Sequence, residues 1–424
     1  MIGQLLDAAT RRVRNADACV MADHSISVTH SPEGAEATHR DSHIAHLRLE
    51  DEGRLGAAAR NDRDVGAVVH AAMMSAKVGR EGALLRPLPA PLPTVMTSHP
   101  GAASLGVRDL NSIAETLRAR VSRAGRVVRT WAERSAARVD VGNTRGVLAG
   151  YDATMVGLGL SAASPASSGR LALRLRHVAV GIPDESVLAG LAREVEDFLA
   201  PPLLDAHPPG GAHPVWLTPR ALAVVLAPLR QSLLAHGVCS AHGPWMGKVG
   251  DRILDDRVTI ADDSLAPGRP GSRPIDDDGV VTQRRVLVRK GILVGALADL
   301  EAAARFGIPA TGSAKRGSGS RTWIGWSNIV LEPGDATEAE LLEAAEGGVL
   351  IRDLYPGSGN QAHGRVSWST PWAYKVEKGN VTGRYERYEL QGSVFEMLNR
   401  VVAVGKEGRW IGANGLPDIV VEVG

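Results

Sequence analysis

The spacing of apolar residues predicts helices and strands in alternation along the first half of the chain. Apolar positions recur every three or four residues in several stretches, which is typical of one buried helix face. Asp62 stands before one of these stretches as a predicted N-cap, and Pro183 with Asp184 opens another. Between them lie β-branched and alternating runs that predict strands. The predicted helices cover residues 3–14, 62–76, 109–123 and 183–199.

Short predicted strands dominate the second half. Runs such as VTIAD, VVTQRRVLVR, RTWIGWSNIVL and TGRYERYELQG are separated by turn residues at short intervals. This pattern favours a barrel-like or sandwich-like β domain. Helical spacing interrupts it at residues 220–234 and 338–346.

Proline and glycine mark the predicted boundary between the two halves. The segment APPLLDAHPPGGAHP at residues 200–214 is too rich in both to continue a helix or a central strand. We therefore expect an α+β protein, with an N-terminal α/β layered domain at residues 1–205 and a β-rich, barrel-like domain at residues 206–424. A second proline-rich segment, LRPLPAPLP at residues 85–93, predicts an extended connector inside the first domain.

A stretch from residue 255 to residue 300 carries the densest turn signals. After the strand-like VTIA comes a loop with three prolines, then Asp276-Asp277-Asp278-Gly279, then a predicted hairpin that turns at Gly291. The acidic run is interpreted as turn chemistry rather than as a calcium loop. An EF-hand needs oxygen ligands at fixed positions, and Pro274 occupies one of them.

Composition excludes several classes of function. The 424 residues are 44% hydrophobic and 22% charged, with a net charge of +1, so neither a nucleic-acid nor a membrane surface is expected. The cysteines are Cys19 and Cys239, too few for a disulfide framework, which favours a reducing cytoplasm. The first residues lack the uninterrupted apolar run of a signal peptide.

The order of short motifs resembles the TldD/PmbA family. Asp-Asp, Pro-Gly, Gly-Ser, Asp-x-x-Gly and a glycine hairpin follow one another in the stretch described above, and the resemblance covers nearly the whole chain. Its specificity lies in order and spacing, since no single motif is decisive. Residues that carry it outside the stretch are Asn143, Arg145, Gly146, Ala304, Thr311 and Gly312.

This sequence lacks the metal-binding motif that the resemblance leads us to expect in a catalytic member of the family. Catalytic TldD-type members carry HExxxH on a helix and a cysteine near the C-terminus, which together form a zinc site with a glutamate as general base. In the matching helix, Ala227 and Pro228 stand in place of the His-Glu pair and Ser232 in place of the second histidine. Residues 403–424 contain no cysteine. The resemblance is therefore to the PmbA/TldE branch, with no catalytic residue, metal ligand or cofactor in this chain.

That branch implies a role inside a heterodimer. The resemblance implies a TldD-type partner that holds zinc, and an enclosed cavity in which unfolded peptides or peptide-like substrates are cleaved. An alternative is a stand-alone hydrolase with a metal site formed by His236, Cys239 and His242, which follow the helix directly. A further alternative is a non-catalytic binding or scaffold homodimer.

The same resemblance places a peptide cleft along polar strands near residues 355–374. The tryptophans there are also compatible with core or subunit-interface anchors. Elsewhere, His39, His43 and His46 are interpreted as polar surface rather than as a metal patch. The predicted substrate-binding residues are Asn360, Gln361, His363, Arg365, Ser367 and Trp368.

Overall fold

Two sheets dominate the computed structural model, which describes residues 1–121, 126–163, 171–317, 319–360 and 364–424. Helices pack on both sheets, and a separate two-stranded hairpin lies between them. The predicted α+β class is confirmed.

The smaller sheet has six antiparallel strands in the order β3-β2-β1-β4-β5-β6. Its long strands arise because alternating residues can bury one face while the other stays polar. Residues 15–31 form one continuous strand. The strands are β1 (Asn15–Ser31), β2 (Gly34–Asp51), β3 (Arg54–Arg60), β4 (Arg126–Asn143), β5 (Leu148–Ala163) and β6 (Leu171–Ala179).

Aspartate side chains begin two of the helices that cover this sheet. Asp64 accepts a hydrogen bond from the N–H of Ala67 at 3.0 Å, and Asp184 caps its helix in the same way. The predicted cap at Asp62 is wrong, because that carboxylate pairs with Arg60 at 2.6 Å. The helices are α1 (Ile2–Thr10), α2 (Val65–Lys77), α3 (Pro100–Ala103), α4 (Val107–Val121) and α5 (Glu185–Leu199).

The larger sheet is open and contains eleven strands. Its main path runs β10-β9-β8-β13-β19-β7-β14-β16-β15, with β17 on β16 and β18 on β19. The end strands β10 and β15 do not pair, so the barrel-like expectation is corrected to an open mixed sheet. The strands are β7 (His213–Leu217), β8 (Ile260–Asp263), β9 (Arg284–Arg289), β10 (Ile292–Leu293), β13 (Ile329–Leu331), β14 (Val349–Ile351), β15 (Ser358–Asn360), β16 (Arg365–Glu377), β17 (Asn380–Ser393), β18 (Val401–Ile411) and β19 (Asn414–Val423); β11 (Ala314–Arg316) and β12 (Thr322–Ile324) form the separate hairpin.

One predicted helix of this half is divided in two. Residues 220–234 give α6 and α7, with the break at Leu226. Pro228 explains the break, since it lacks the N–H that would continue the helical hydrogen bonds and lies in the first turn of α7. The remaining helices of this half are α6 (Pro219–Val225), α7 (Ala227–Ser232), α8 (Ala235–Cys239), α9 (Leu300–Phe306), α10 (Glu338–Ala344) and α11 (Val394–Met397).

The two sheets share a hydrophobic core. Leu158 and Leu175 of the smaller sheet lie in one buried cluster with Trp216 and Tyr374 of the larger sheet. The hydroxyl of Tyr374 donates to the carbonyl oxygen of Phe198 in α5 at 2.9 Å. Because large apolar side chains of both halves are buried in one cluster, the two halves depend on each other for stability. No helix in the described part of the chain is long and apolar enough to cross a membrane.

The turn predicted at Gly291 joins β9 to β10 and has a left-handed φ of +76°. A Cβ at this position would overlap the carbonyl oxygen of Leu254. We expect Gly291→Ala to lower the free energy of unfolding by about 2–4 kcal/mol, because the strained φ and the overlap add. Urea denaturation measures this. Gly295→Ala is the matched control, since its Cβ would meet nothing within 4 Å. Equal stability of both variants would contradict the argument.

Candidate functional site

Helix α7, which the resemblance led us to compare with a metal-binding helix, carries no zinc ligand. Ala227 begins α7 and has no ligating atom, and the buried Pro228 has none either. Ser232 is 3% exposed, and its hydroxyl donates to the carbonyl oxygen of Pro228 at 3.1 Å. Zinc sites in proteins use thiolate, imidazole or carboxylate ligands. These residues therefore do not fit the metal.

The neighbouring triplet does not form a metal site. His236 lies exposed in α8 with its ring edge-on to Phe306, at 5.5 Å between centroids. Burial raises the pKa of the Cys239 thiol, which disfavours the thiolate that a metal needs. Among the described residues, no three histidine, cysteine or carboxylate side chains converge as a metal site, and this holds for His236, Cys239 and His242.

One buried and two half-buried charges, Asp262, Arg230 and Lys315, lie in or near α7. Arg230 of this helix donates to Asn414 at 3.3 Å, and the carboxylate of Asp262 interacts with its charge. Asp262 is 2% exposed and accepts from the N–H of Ser327 at 2.7 Å. Burial raises the pKa of Asp262 to about 6, and burial lowers the pKa of Lys315 to about 8. Helix α7 thus carries one basic side chain, Arg230, and no thiolate, imidazole or carboxylate.

The raised pKa of Asp262 predicts a pH effect on stability. In the folded protein the pKa of Asp262 lies above its ordinary value of 3.8, so folding favours the protonated carboxyl. The contribution of Asp262 to stability is therefore complete below pH 3.8 and is lost as the pH rises through about 6. Asp262→Asn keeps an oxygen for the Ser327 N–H and removes the charge. We expect its stability to gain about 2–3 kcal/mol relative to the wild type across this pH window.

Urea denaturation at several pH values across the same window measures this difference. Asp256→Asn removes an exposed carboxyl of the same segment and serves as the control. A variant whose stability changes with pH in parallel with the wild type would contradict a raised pKa at Asp262.

A cavity of about 970 Å³ opens at the end of α7, between it and the smaller sheet. Gln231 and His236 line it. Trp323, which is 50% exposed, lines it as well, together with Arg321 and Arg305. A space of this size can hold several residues of a peptide. Its mixed lining of indole and charge suits a chain with both apolar and polar groups.

Arg48 and Asp278 line this cavity and belong to a network of four charges, of which Arg48 is half-buried and the other three are buried. Arg48 lies 2.6 Å from Asp17 and 2.7 Å from Asp278, and Arg316 lies 2.7 Å and 3.2 Å from the same two carboxylates. Burial alone would raise the pKa of Asp17, but the two guanidinium groups outweigh it and hold that pKa below its usual value. We call this set the four-charge network. It joins β1 and β2 to the C-terminal half.

The acidic run after Pro274 is a turn, as predicted. Asp276 accepts hydrogen bonds from the N–H groups of Asp278 at 3.0 Å and Val280 at 2.8 Å, and Gly279 has a φ of +87°. All three aspartates are nevertheless buried, which the sequence did not indicate. Their oxygens are engaged by backbone N–H groups and arginines, an arrangement that holds the turn against the smaller sheet.

The predicted substrate residues divide between two faces of the sheet. Arg365 and Ser367 alternate on the exposed face of β16 and line a cleft of about 460 Å³ with Gln391. Trp368 points the opposite way and is 1% exposed, so the core alternative holds for it and it offers no surface to a substrate. Asn360 lies in β15 opposite Arg365. Gln361 and His363 lie outside the described residues.

The three histidines of β2 also differ in their surroundings. His39 is exposed and His43 half-buried, as expected for polar surface, whereas His46 is 1% exposed. The surface interpretation is therefore wrong for His46. Burial lowers its pKa to about 4, so this ring stays neutral inside the protein.

Residues 210–423 match the family model described as the PmbA/TldA metallopeptidase C-terminal domain. The chain belongs to the TldD/PmbA family. A metalloprotease of Methanothermobacter thermautotrophicus is 28% identical over 274 residues, which is 63% of this chain and 60% of that protein. A metalloprotease of Methanocaldococcus jannaschii is 30% identical over 48% of this chain and 46% of its own length.

A TldD homologue of Haemophilus influenzae, also a metalloprotease, is 30% identical over 38% of this chain and 33% of its own. The matches thus span between one third and three fifths of the length of these relatives. The peptidase family is shared with them, whereas the activity of the whole relatives is not carried over by the match alone.

Solved structures share the fold over almost the whole chain. TldE from Thermococcus kodakarensis superposes with a TM-score of 0.86 at 19% identity, covering 99% of this chain and 98% of that one. A Thermotoga maritima protein described as a candidate modulator of a DNA gyrase gives 0.87 at 20% identity, with 99% and 97% covered. At this level of identity the likeness concerns the fold.

Proposed function

We propose that this chain is the TldE/PmbA-type subunit of a two-chain zinc metallopeptidase. In this proposal a TldD-type partner binds the zinc and carries the catalytic glutamate. The present chain completes the enclosed cavity in which an unfolded peptide or peptide-like substrate is cleaved. It contributes walls and main-chain contacts, and it holds no metal of its own.

The observation that carries this proposal is the composition of α7. Ala227 and Pro228 lack ligating atoms, and the hydroxyl of Ser232 is engaged within the helix. Two basic side chains, Arg230 of this helix and Lys315 near it, further disfavour a bound cation. The metalloprotease relatives and the fold shared with TldE support a peptidase context for the chain.

The exposed face of β16 and β17 supports an extended peptide as the substrate. Within the described residues, β17 pairs with β16 and otherwise makes one bridge, Leu203 to Arg384. Its remaining outer edge offers main-chain groups to a peptide strand, and Gln391 of the same strand is an exposed, neutral polar residue. Strand addition of this kind binds backbone and selects side chains weakly, which suits unfolded substrates.

Co-purification with a TldD-type homologue from the same genome tests the proposal. We expect the two chains to elute together, with one zinc per heterodimer that is lost when the partner's HExxxH histidines are replaced. Metal counting on each separated chain assigns the ligand set. Zinc held by the untagged present chain alone would instead favour the stand-alone hydrolase, and failure of the chains to associate would favour a scaffold protein.

A further inference from the structure

Half of β2 is an exposed sheet edge. β2 pairs with β1 along its whole length, but β3 covers only Ala45–Asp51 on the other side. Residues 32–42 are exposed on both faces, and no strand in the described part of the chain lies against their outer side. Such an edge is a template for another strand, and proteins usually cover or blunt it.

The register fixes which main-chain groups point outward. Asp51 and Arg54 flank a two-residue turn, so they form a hydrogen-bonded pair and the main chain of Asp51 faces β3. Hydrogen-bonded and non-hydrogen-bonded positions alternate along an antiparallel strand, and β2 shows no register shift. The outward N–H and C=O groups in the exposed half are therefore those of Ala35, Ala37, His39 and Asp41.

We propose that this edge pairs antiparallel with the same edge of a second copy of the chain, with the two-fold axis at Thr38. In this register Ala37 faces His39 of the second copy, and both present outward main-chain groups. Glu36 then lies opposite Arg40 of the second copy, and the symmetry repeats the pair. Opposite charges and paired threonines stabilise cross-strand neighbours.

Charge selects this register over its neighbours. Shifting the axis to residue 37 sets Glu36 opposite Thr38, and shifting it to residue 39 sets Glu36 opposite Ser42. Glu36 and Arg40 are both exposed and form no ion pair with any other residue that the structure describes. A second copy of the chain supplies an opposite charge to both residues at once, Arg40 to Glu36 and Glu36 to Arg40. Such self-complementarity is the property of a two-fold interface.

This interface lies on the smaller sheet and uses no residue of α7 or of the cleft beside β16. It does not depend on the metal-free role proposed above. A dimer through β2 joins the six-stranded sheets of two copies into one continuous sheet. A TldD-type partner bound elsewhere on the chain would then be carried in two copies per assembly.

Charge reversal tests the interface on the full-length chain. In sedimentation equilibrium over a dilution series, we expect the wild type to dimerise and Glu36→Arg or Arg40→Glu to raise the dimer dissociation constant by about tenfold or more, since each reversal creates two like-charge contacts. An equimolar mixture of the two single variants should form a mixed dimer as stable as the wild type, because opposite charges face each other again.

Two further variants complete the test. Ala37→Pro removes an outward N–H that no strand of the same chain uses, and we expect it to weaken the dimer while leaving the circular dichroism spectrum unchanged. Glu343→Arg reverses an exposed charge on α10 and should leave the dimer intact. A monomeric wild type, or single variants whose mixture fails to recover the dimer, would overturn the proposal, as would loss of a TldD-type partner instead of the second copy.

Discussion

A mixture of this chain with a TldD-type partner and zinc should cleave an unfolded peptide at least about a hundredfold faster than either chain alone. The partner's zinc is expected to polarise the scissile carbonyl and to activate a water molecule. The cavity surface that holds the peptide determines how well the scissile carbonyl and the water molecule are aligned. Misplacement by about 1 Å can lower the rate a hundredfold. The present chain is proposed to supply part of this cavity surface.

Steady-state cleavage of a fluorogenic unfolded peptide measures this. Replacing the glutamate of the partner's HExxxH motif by glutamine should abolish turnover without dissociating the chains. In the present chain, Arg365→Glu alters the exposed face of β16 and should raise KM more than it lowers kcat. Glu343→Arg on α10 is the matched control for a reversed charge. Zinc-dependent cleavage by the present chain alone would contradict the two-chain proposal.

Local chemistry is what the sequence predicted well. The turn at Asp276–Gly279, the hairpin at Gly291 and the helix opened by Asp184 each depend on a few adjacent residues whose backbone preferences are strong. The sequence also shows directly that Ala227, Pro228 and Ser232 carry no zinc-ligating side chain, because a motif of fixed spacing can be checked residue by residue. The break at Leu226 was missed although Pro228 stands in the helix, since proline is tolerated in a first turn.

Long-range partners could not be predicted in the same way. The pair Arg48 and Asp278 is separated by 230 residues, and Arg316 reaches Asp17 across 299. Nothing in the local pattern shows that an aspartate of a turn will be buried against an arginine of a distant strand. The sequence contains little indication of this network. Arg48 occupies a polar position in the alternating run AHLRLED, as any solvent-facing residue of a half-buried strand would.

The same limit applies to the candidate substrate residues. Alternation along β16 sets Arg365 and Ser367 on one face and Trp368 on the other, so a list that includes all three mixes surface with core. Which face is buried depends on the helices and strands packed behind the sheet. The tryptophan could have been excluded by parity once either face was known.

Arg316→Met should lower the free energy of unfolding at neutral pH by about 3–5 kcal/mol, because it removes one cation from a buried network of two pairs. Asp17 and Asp278 are 2% and 3% exposed, so neither can recover the lost contact from water. Methionine fills much of the same volume, which separates the electrostatic effect from a cavity. Urea denaturation followed by tryptophan fluorescence measures the difference.

The pH dependence of this variant distinguishes charge from packing. The folded pKa of Asp17 lies below its ordinary value of 3.8, so its stabilising effect is present above 3.8 and is lost as the pH falls through the folded pKa. Arg316→Met keeps only the attraction of Arg48 for Asp17 and so loses part of that effect. The difference in stability between the variant and the wild type should therefore narrow in acid. Arg60→Met, which breaks an exposed pair with Asp62, should change little at any pH. A deficit at Arg316 that stays constant down to acid pH would show that packing, and not the buried charges, holds the N-terminal strands to the rest of the chain.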